Sequence, residues 1–155
     1  MEPDFAMVGS LPLPKGLLKL IETGRCPRTH EEELHQNIRP LVSKERVRSF
    51  APDQDRICLV RPPFSTVAER IAAQEGEFWS RFGAVEQISP DSLIFIGDFG
   101  LGSDSPILLD YRKDRLNRAV IRLKWNYGEG PRNQWLLCSE SFDAFSDVLG
   151  LEHGI

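Results

Sequence analysis

Apolar residues change their spacing twice along the 155 residues of this chain. Leu17, Leu18, Leu20 and Ile21 follow the lead-in Leu11-Pro12-Leu13-Pro14-Lys15-Gly16 and stop at Gly24 and Pro27, which predicts a short first helix. From residue 28 to residue 63 the pattern is polar and broken by Pro40, Pro52, Pro62 and Pro63. A helix is expected there around residues 29–38, with Thr29 as its cap and Glu31 to Glu33 at the positive end of its dipole. A brief strand is expected over residues 56–60. Val67, Ile71, Ala72, Phe78, Trp79 and Phe82 then recur at mostly three-to-four-residue spacing, so residues 65–82 read as an amphipathic helix weakened by Gly76.

Beyond Gly83 the period shortens. Residues 93–96, 107–111, 119–125 and 134–138 are β-rich runs too close together for crossover helices, which predicts mainly antiparallel pairing. In Ala119-Val120-Ile121-Arg122-Leu123-Lys124-Trp125 the odd positions point one way and Arg122 and Lys124 the other, as in a sheet with one wet face. Ser141 is placed to cap a last helix whose stripe is Phe142, Phe145, Val148 and Leu149, with Gly150 closing it. Phe142 and Phe145 are expected to lie under the sheet as core anchors. The fold class that results is α+β: a mainly antiparallel sheet with helices packed on one face, in a single domain spanning residues 1–155.

Composition narrows the function. The 19 Lys and Arg against 23 Asp and Glu give a formal charge of −4, without the basic excess that direct nucleic-acid binding draws on. No run approaches the roughly 20 apolar residues of a membrane span. The acidic start Met1-Glu2-Pro3-Asp4 is unlike a signal peptide, so a cytoplasmic protein is expected. Cys26, Cys58 and Cys138 are odd in number and scattered, and are expected to be reduced and free of metal.

Several constellations suggest chemistry and read better as structure. His30 and His35 are five residues apart, which turns a helix by roughly 500° and leaves the imidazoles about 140° apart, unlike a zinc-protease pair, so Cys26, His30 and His35 make a poor metal set. Asp98-Phe99-Gly100 spells the kinase magnesium motif, yet the chain has neither a phosphate loop nor a catalytic-loop aspartate. The glycines at 97, 100 and 102 suit a tight connection between strands. Asp98, Asp104 and Asp110 remain an alternative as a divalent-cation set in a small metal-dependent hydrolase or phosphoesterase. Trp125, Tyr127 and Trp135 bracket Gly128-Glu129-Gly130-Pro131, where aromatics are core partners or, if exposed, binding anchors.

The run Gly97-Asp98-Phe99-Gly100-Leu101-Gly102-Ser103-Asp104, then Ile107-Leu108-Leu109-Asp110-Tyr111, Val120-Ile121-Arg122-Leu123-Lys124-Trp125, Trp135-Leu136-Leu137-Cys138 and Ser141-Phe142-Asp143-Ala144-Phe145, resembles the SUKH superfamily. That superfamily includes Smi/Knr-type cell-wall assembly regulators and bacterial toxin-immunity proteins. Leu13-Pro14 and the helix ending Ile21-Glu22-Thr23-Gly24 are similar to its opening element. The segment 25–88 has no counterpart, and Asn117-Arg118-Ala119 stands where the family has proline. The resemblance implies a non-catalytic protein-binding domain without cofactor or metal: an immunity protein that neutralises a cognate toxin, often a nuclease. Residues 63–155 hold nine basic and fourteen acidic side chains, a net of −5, against +1 for residues 1–62, which suits a basic partner. The working surface is expected at the glycine-rich turn and the Trp125 hairpin. Asp98, Asp104 and Glu129 would steer the partner there and Tyr127 would supply buried contact.

Overall fold

The computed structural model describes residues 6–99, 105–113, 118–125 and 133–151, with 74–77 by backbone alone. A small hairpin of β1 (Met7–Val8) and β2 (Leu11–Pro12) precedes α1 (Lys15–Glu22), α2 (His30–His35) and α3 (Lys44–Phe50). After β3 (Cys58–Leu59) and β4 (Ser65–Thr66) come α4 (Val67–Arg70) and α5 (Gly76–Phe82). The meander β5 (Leu93–Asp98), β6 (Pro106–Asp110), β7 (Ala119–Lys124) and β8 (Gln134–Ser139) leads into α6 (Phe142–Leu149). The order across the sheet is β3-β5-β6-β7-β8, and β4 shares the outer side of β5 with β3. Every pairing among the described strands is antiparallel. The chain is thus an α+β fold on a mainly antiparallel sheet.

Local signals set most helix ends. Thr29, Ser43 and Ser141 each accept a hydrogen bond from the backbone N–H three residues on, and Thr66 with Glu69 forms a reciprocal capping box. Gly24 and Gly150, at φ +80° and +70°, turn the chain out of α1 and α6. Arginines serve the opposite ends. Arg28 donates to the carbonyls of Ile21 and Glu22 at the end of α1, and Arg25 and Arg46 donate to Leu151 and Val148 at the end of α6.

The expectation of helices on one face is corrected: both faces are covered. Ile94, Ile96, Ile107, Leu109 and Val120 face a core shared with Leu17 and Leu20 of α1, Val47 of α3, and Phe142 and Phe145 of α6. Their strand neighbours Leu93, Phe95, Leu108 and Ile121 face a second core with Val67 of α4 and Trp79 of α5. The expected wet face of β7 is therefore closed as well. Arg122 is 6% exposed, held by Asp53 at 2.8 and 3.2 Å and lying over the Phe99 ring, and only Lys124 reaches solvent fully.

The long helix expected over residues 65–82 is also divided. Ser65 and Thr66 complete the edge of β5, and the helix that Thr66 caps breaks at Ala73, whose φ −81° and ψ −115° are not helical. Phe142 and Phe145 are buried as expected. Among the described residues no helix is long and apolar enough to cross a membrane.

Candidate partner-binding end of the sheet

Register decides which turns are neighbours. Asp98 pairs with Pro106, and Lys124 pairs with Gln134, so the β5–β6 and β7–β8 connections leave the same end of the sheet. A hydrogen bond of 2.6 Å from Ser105 Oγ to the Leu123 carbonyl ties their roots together. The expectation that the glycine-rich turn and the Trp125 hairpin lie at one end is met for these roots.

Asp98 itself does not face outward. It is 6% exposed, and both of its carboxylate oxygens lie 3.2 Å from the Ser105 N–H they accept from. With the Phe99 N–H donating to the Ser105 carbonyl, Asp98 acts as the clasp of a turn. The picture of Asp98 as an exposed steering acid is corrected on that ground. Asp104, Tyr127 and Glu129, the other three expected contact residues, lie outside the described residues.

Aromatic side chains gather at this end. Phe82, 37% exposed at the end of α5, has its ring 5.1 Å from that of half-buried Trp125 and 6.0 Å from that of Phe78. Beneath them Trp79 and Trp135 stack with planes 9° apart and centroids 6.1 Å apart. Trp135 Nε1 donates to the Gly83 carbonyl and Asn133 Nδ2 to that of Phe82, so α5 is fastened to the root of the β7–β8 connection. A surface patch of Phe and Trp over a rigid base has the composition of interface anchors. Phe82 and Phe78 carried no sequence signal of this role, because the helix that brings them to Trp125 is distant along the chain.

The carboxylates of the hydrolase alternative are separated. Asp110 pairs with Leu93 at the other end of β6 from Pro106, about 13 Å from Asp98 at the usual rise per residue. Burial would raise the Asp110 carboxyl, but the bonds and charge of Arg112, at 2.8 and 2.9 Å, outweigh it and hold Asp110 below its ordinary value. Asp98 and Asp110 therefore cannot share one ion. Among the described residues no group of three or more His, Cys, Asp and Glu is placed to hold a metal. The three cysteines are free thiols, and burial pushes Cys26 and Cys138 up to about 12 and also raises Cys58. His30 Nδ1 sits 3.3 Å from Arg61 Nη1, whose guanidinium also bonds Glu33.

A second surface lies on the segment 25–88. Helix α2 buries none of its residues and exposes Leu34 at 52%, with Ile38 just beyond it at 81%. Beside it is an open cleft of about 960 Å³ lined by Arg25, Glu31, His35, Gln36, Arg39 and Leu41 among others. Comparison of the chain with protein-family models, with curated proteins and with solved structures finds no match in any of the three.

Proposed function

We propose that this chain is a non-catalytic protein-binding domain of the SUKH type, an immunity protein that binds and neutralises a cognate toxin. The observation that carries the reading is the placement of the resembling motifs. The Gly-Asp-Phe motif closes β5, the Leu-Leu-Asp run is β6, Val120 to Lys124 is β7, the Trp-Leu-Leu-Cys run lies in β8, and the Ser-Phe pair starts α6, each on its own element in order. Support from the site is chemical. Asp98 and Asp110 already serve as structural acceptors, and the described residues at the shared end include the partly exposed aromatics Phe82 and Trp125, which suit contact with a protein surface. The partner is a toxin domain encoded beside this gene, and a basic nuclease fits the acidic 63–155 half.

The test is co-expression with the neighbouring toxin domain, followed by binding kinetics on the purified pair. Restored growth and a stoichiometric complex are expected. Asp104→Asn with Glu129→Gln should slow association more at low salt than at high salt, and Tyr127→Ala should speed dissociation. Absence of a complex would overturn the immunity reading. Turnover in a phosphoesterase panel that a chelator abolishes would replace it with the hydrolase.

A further inference from the structure

Residues 29–39, which include α2, lie against the sheet without joining its packing. Of the described residues, neither core takes one from this stretch. Every residue in it is exposed except half-buried Glu33 and buried Gln36, and those two meet the outer edge of β3. The Val60 N–H donates 3.0 Å to the Ile96 carbonyl, so antiparallel alternation turns the N–H groups of Leu59 and Arg61 away from β5. Gln36 accepts from the Leu59 N–H at 2.9 Å and donates to the Leu59 carbonyl at 2.8 Å, the two bonds that a paired residue of an antiparallel strand would make. Glu33 accepts from the Arg61 N–H at 2.6 Å and from its guanidinium at 3.0 Å. Two side chains three residues apart thus take the place of a neighbouring strand at β3.

The seam they make is narrow. The 960 Å³ cleft runs along the Gln36 side of it, and a second of about 330 Å³, lined by Arg61, Phe64 and Arg70 among others, along the Glu33 side. Arg56 donates 2.9 Å to the Asn37 carbonyl, and His30 meets Arg61, both at exposed positions where water competes for the same groups. The ends of the stretch are fixed far more firmly. Arg28 donates to the carbonyls of Ile21 and Glu22, and Cys26 and Val42 are buried in the core.

We propose that residues 29–39 are a strap that lifts from β3 while both cores stay folded, so that the outer edge of the sheet is opened and closed by this equilibrium and not by unfolding of the molecule. A segment with no buried apolar contact has the low local stability such an opening needs. Helix α2, with six residues, is too short to persist off the sheet, so lifting also melts it. Closed, the strap guards an edge that offers backbone groups at Leu59 and Arg61; open, it leaves both to solvent.

Native-state hydrogen exchange at low urea concentrations, read by NMR at the Leu59 and Val60 amides, tests the proposal. Leu59, although buried, should exchange through an opening that urea hardly promotes, with a protection factor about tenfold or more below that of Val60 beside it. Thr29→Ala, which removes the cap of α2 and none of the bonds to Leu59, should lower the Leu59 protection factor about fivefold. Ile107→Val, in the core, should lower the urea midpoint of global unfolding and leave Leu59 protection unchanged. Equal protection of Val60 and Leu59 would mean that β3 peels away whole, and a response of Leu59 to Ile107→Val would mean that only global unfolding exposes it. Either result overturns the proposal, as does a Thr29→Ala protein whose Leu59 amide is as protected as in the wild type.

Discussion

Asp53 holds Arg122 across a sequence separation of 69 residues, and the pair ties the irregular 51–57 segment to the middle of β7. Burial would raise the Asp53 carboxyl, but the hydrogen bonds and charge of Arg122 outweigh it and leave the folded value below the ordinary one. A carboxyl lowered on folding contributes stability that is present above its unfolded pKa of about 4 and is lost as pH falls through the folded value. Asp53→Asn should therefore be less stable than wild type at pH 7, and the gap should close as both are titrated toward pH 2. Urea midpoints across that range measure it; a gap independent of pH would mean that the carboxylate charge contributes nothing. Gln36 makes a different demand. Its amide satisfies both backbone groups of buried Leu59, so Gln36→Ala should cost about 1–3 kcal/mol in equilibrium unfolding by leaving a buried N–H and C=O unpaired.

Among the elements, α6 was legible because its instructions are local: a serine cap, two phenylalanines three residues apart, and a glycine with positive φ all lie within ten residues. Phe145, whose ring meets those of Phe50, Phe99 and Phe142, should cost about 3–5 kcal/mol when changed to Ala, seen as a lowered unfolding midpoint. The strands of the meander were legible for the same reason, to within a residue or two at their ends. Helix α3 was not, since Val47 is its one buried residue and a single apolar position sets no period. The division of residues 65–82 was hidden too. Its first two residues form a strand because Ser65 pairs with Phe95, a contact that no helical spacing announces. The dry face of β7 escaped because Arg122 reads as a solvent residue until its distant aspartate is known. At the candidate site, sequence reasoning put the two turns at one end of the sheet, as the register of their roots does, but took a buried clasp, Asp98, for a surface acid.

For the whole molecule, two surfaces can carry a partner, and they are separable by substitution. Phe82→Ala should weaken binding of the proposed partner by about 2 kcal/mol if the aromatic end is the anchor, as titration calorimetry would show, while Leu34→Lys with Ile38→Lys leaves affinity unchanged. The reverse result would move the interface to α2. The two cores that flank the sheet also differ in how far along the chain they reach. The one containing Trp79 and Trp135 is built from residues 60–135, close in sequence. The other joins α1 to α6, and Arg25 reaches Leu151 over a separation of 126 residues. Loop closure over that span is slow to gain compensation from contacts. On a ribosome the first side can therefore assemble while the chain is still growing. The opposite side of the same sheet lacks α6, and with it Phe142 and Phe145, until residues 142–151 emerge, so the interval between those two events is when this protein most needs shelter from its neighbours.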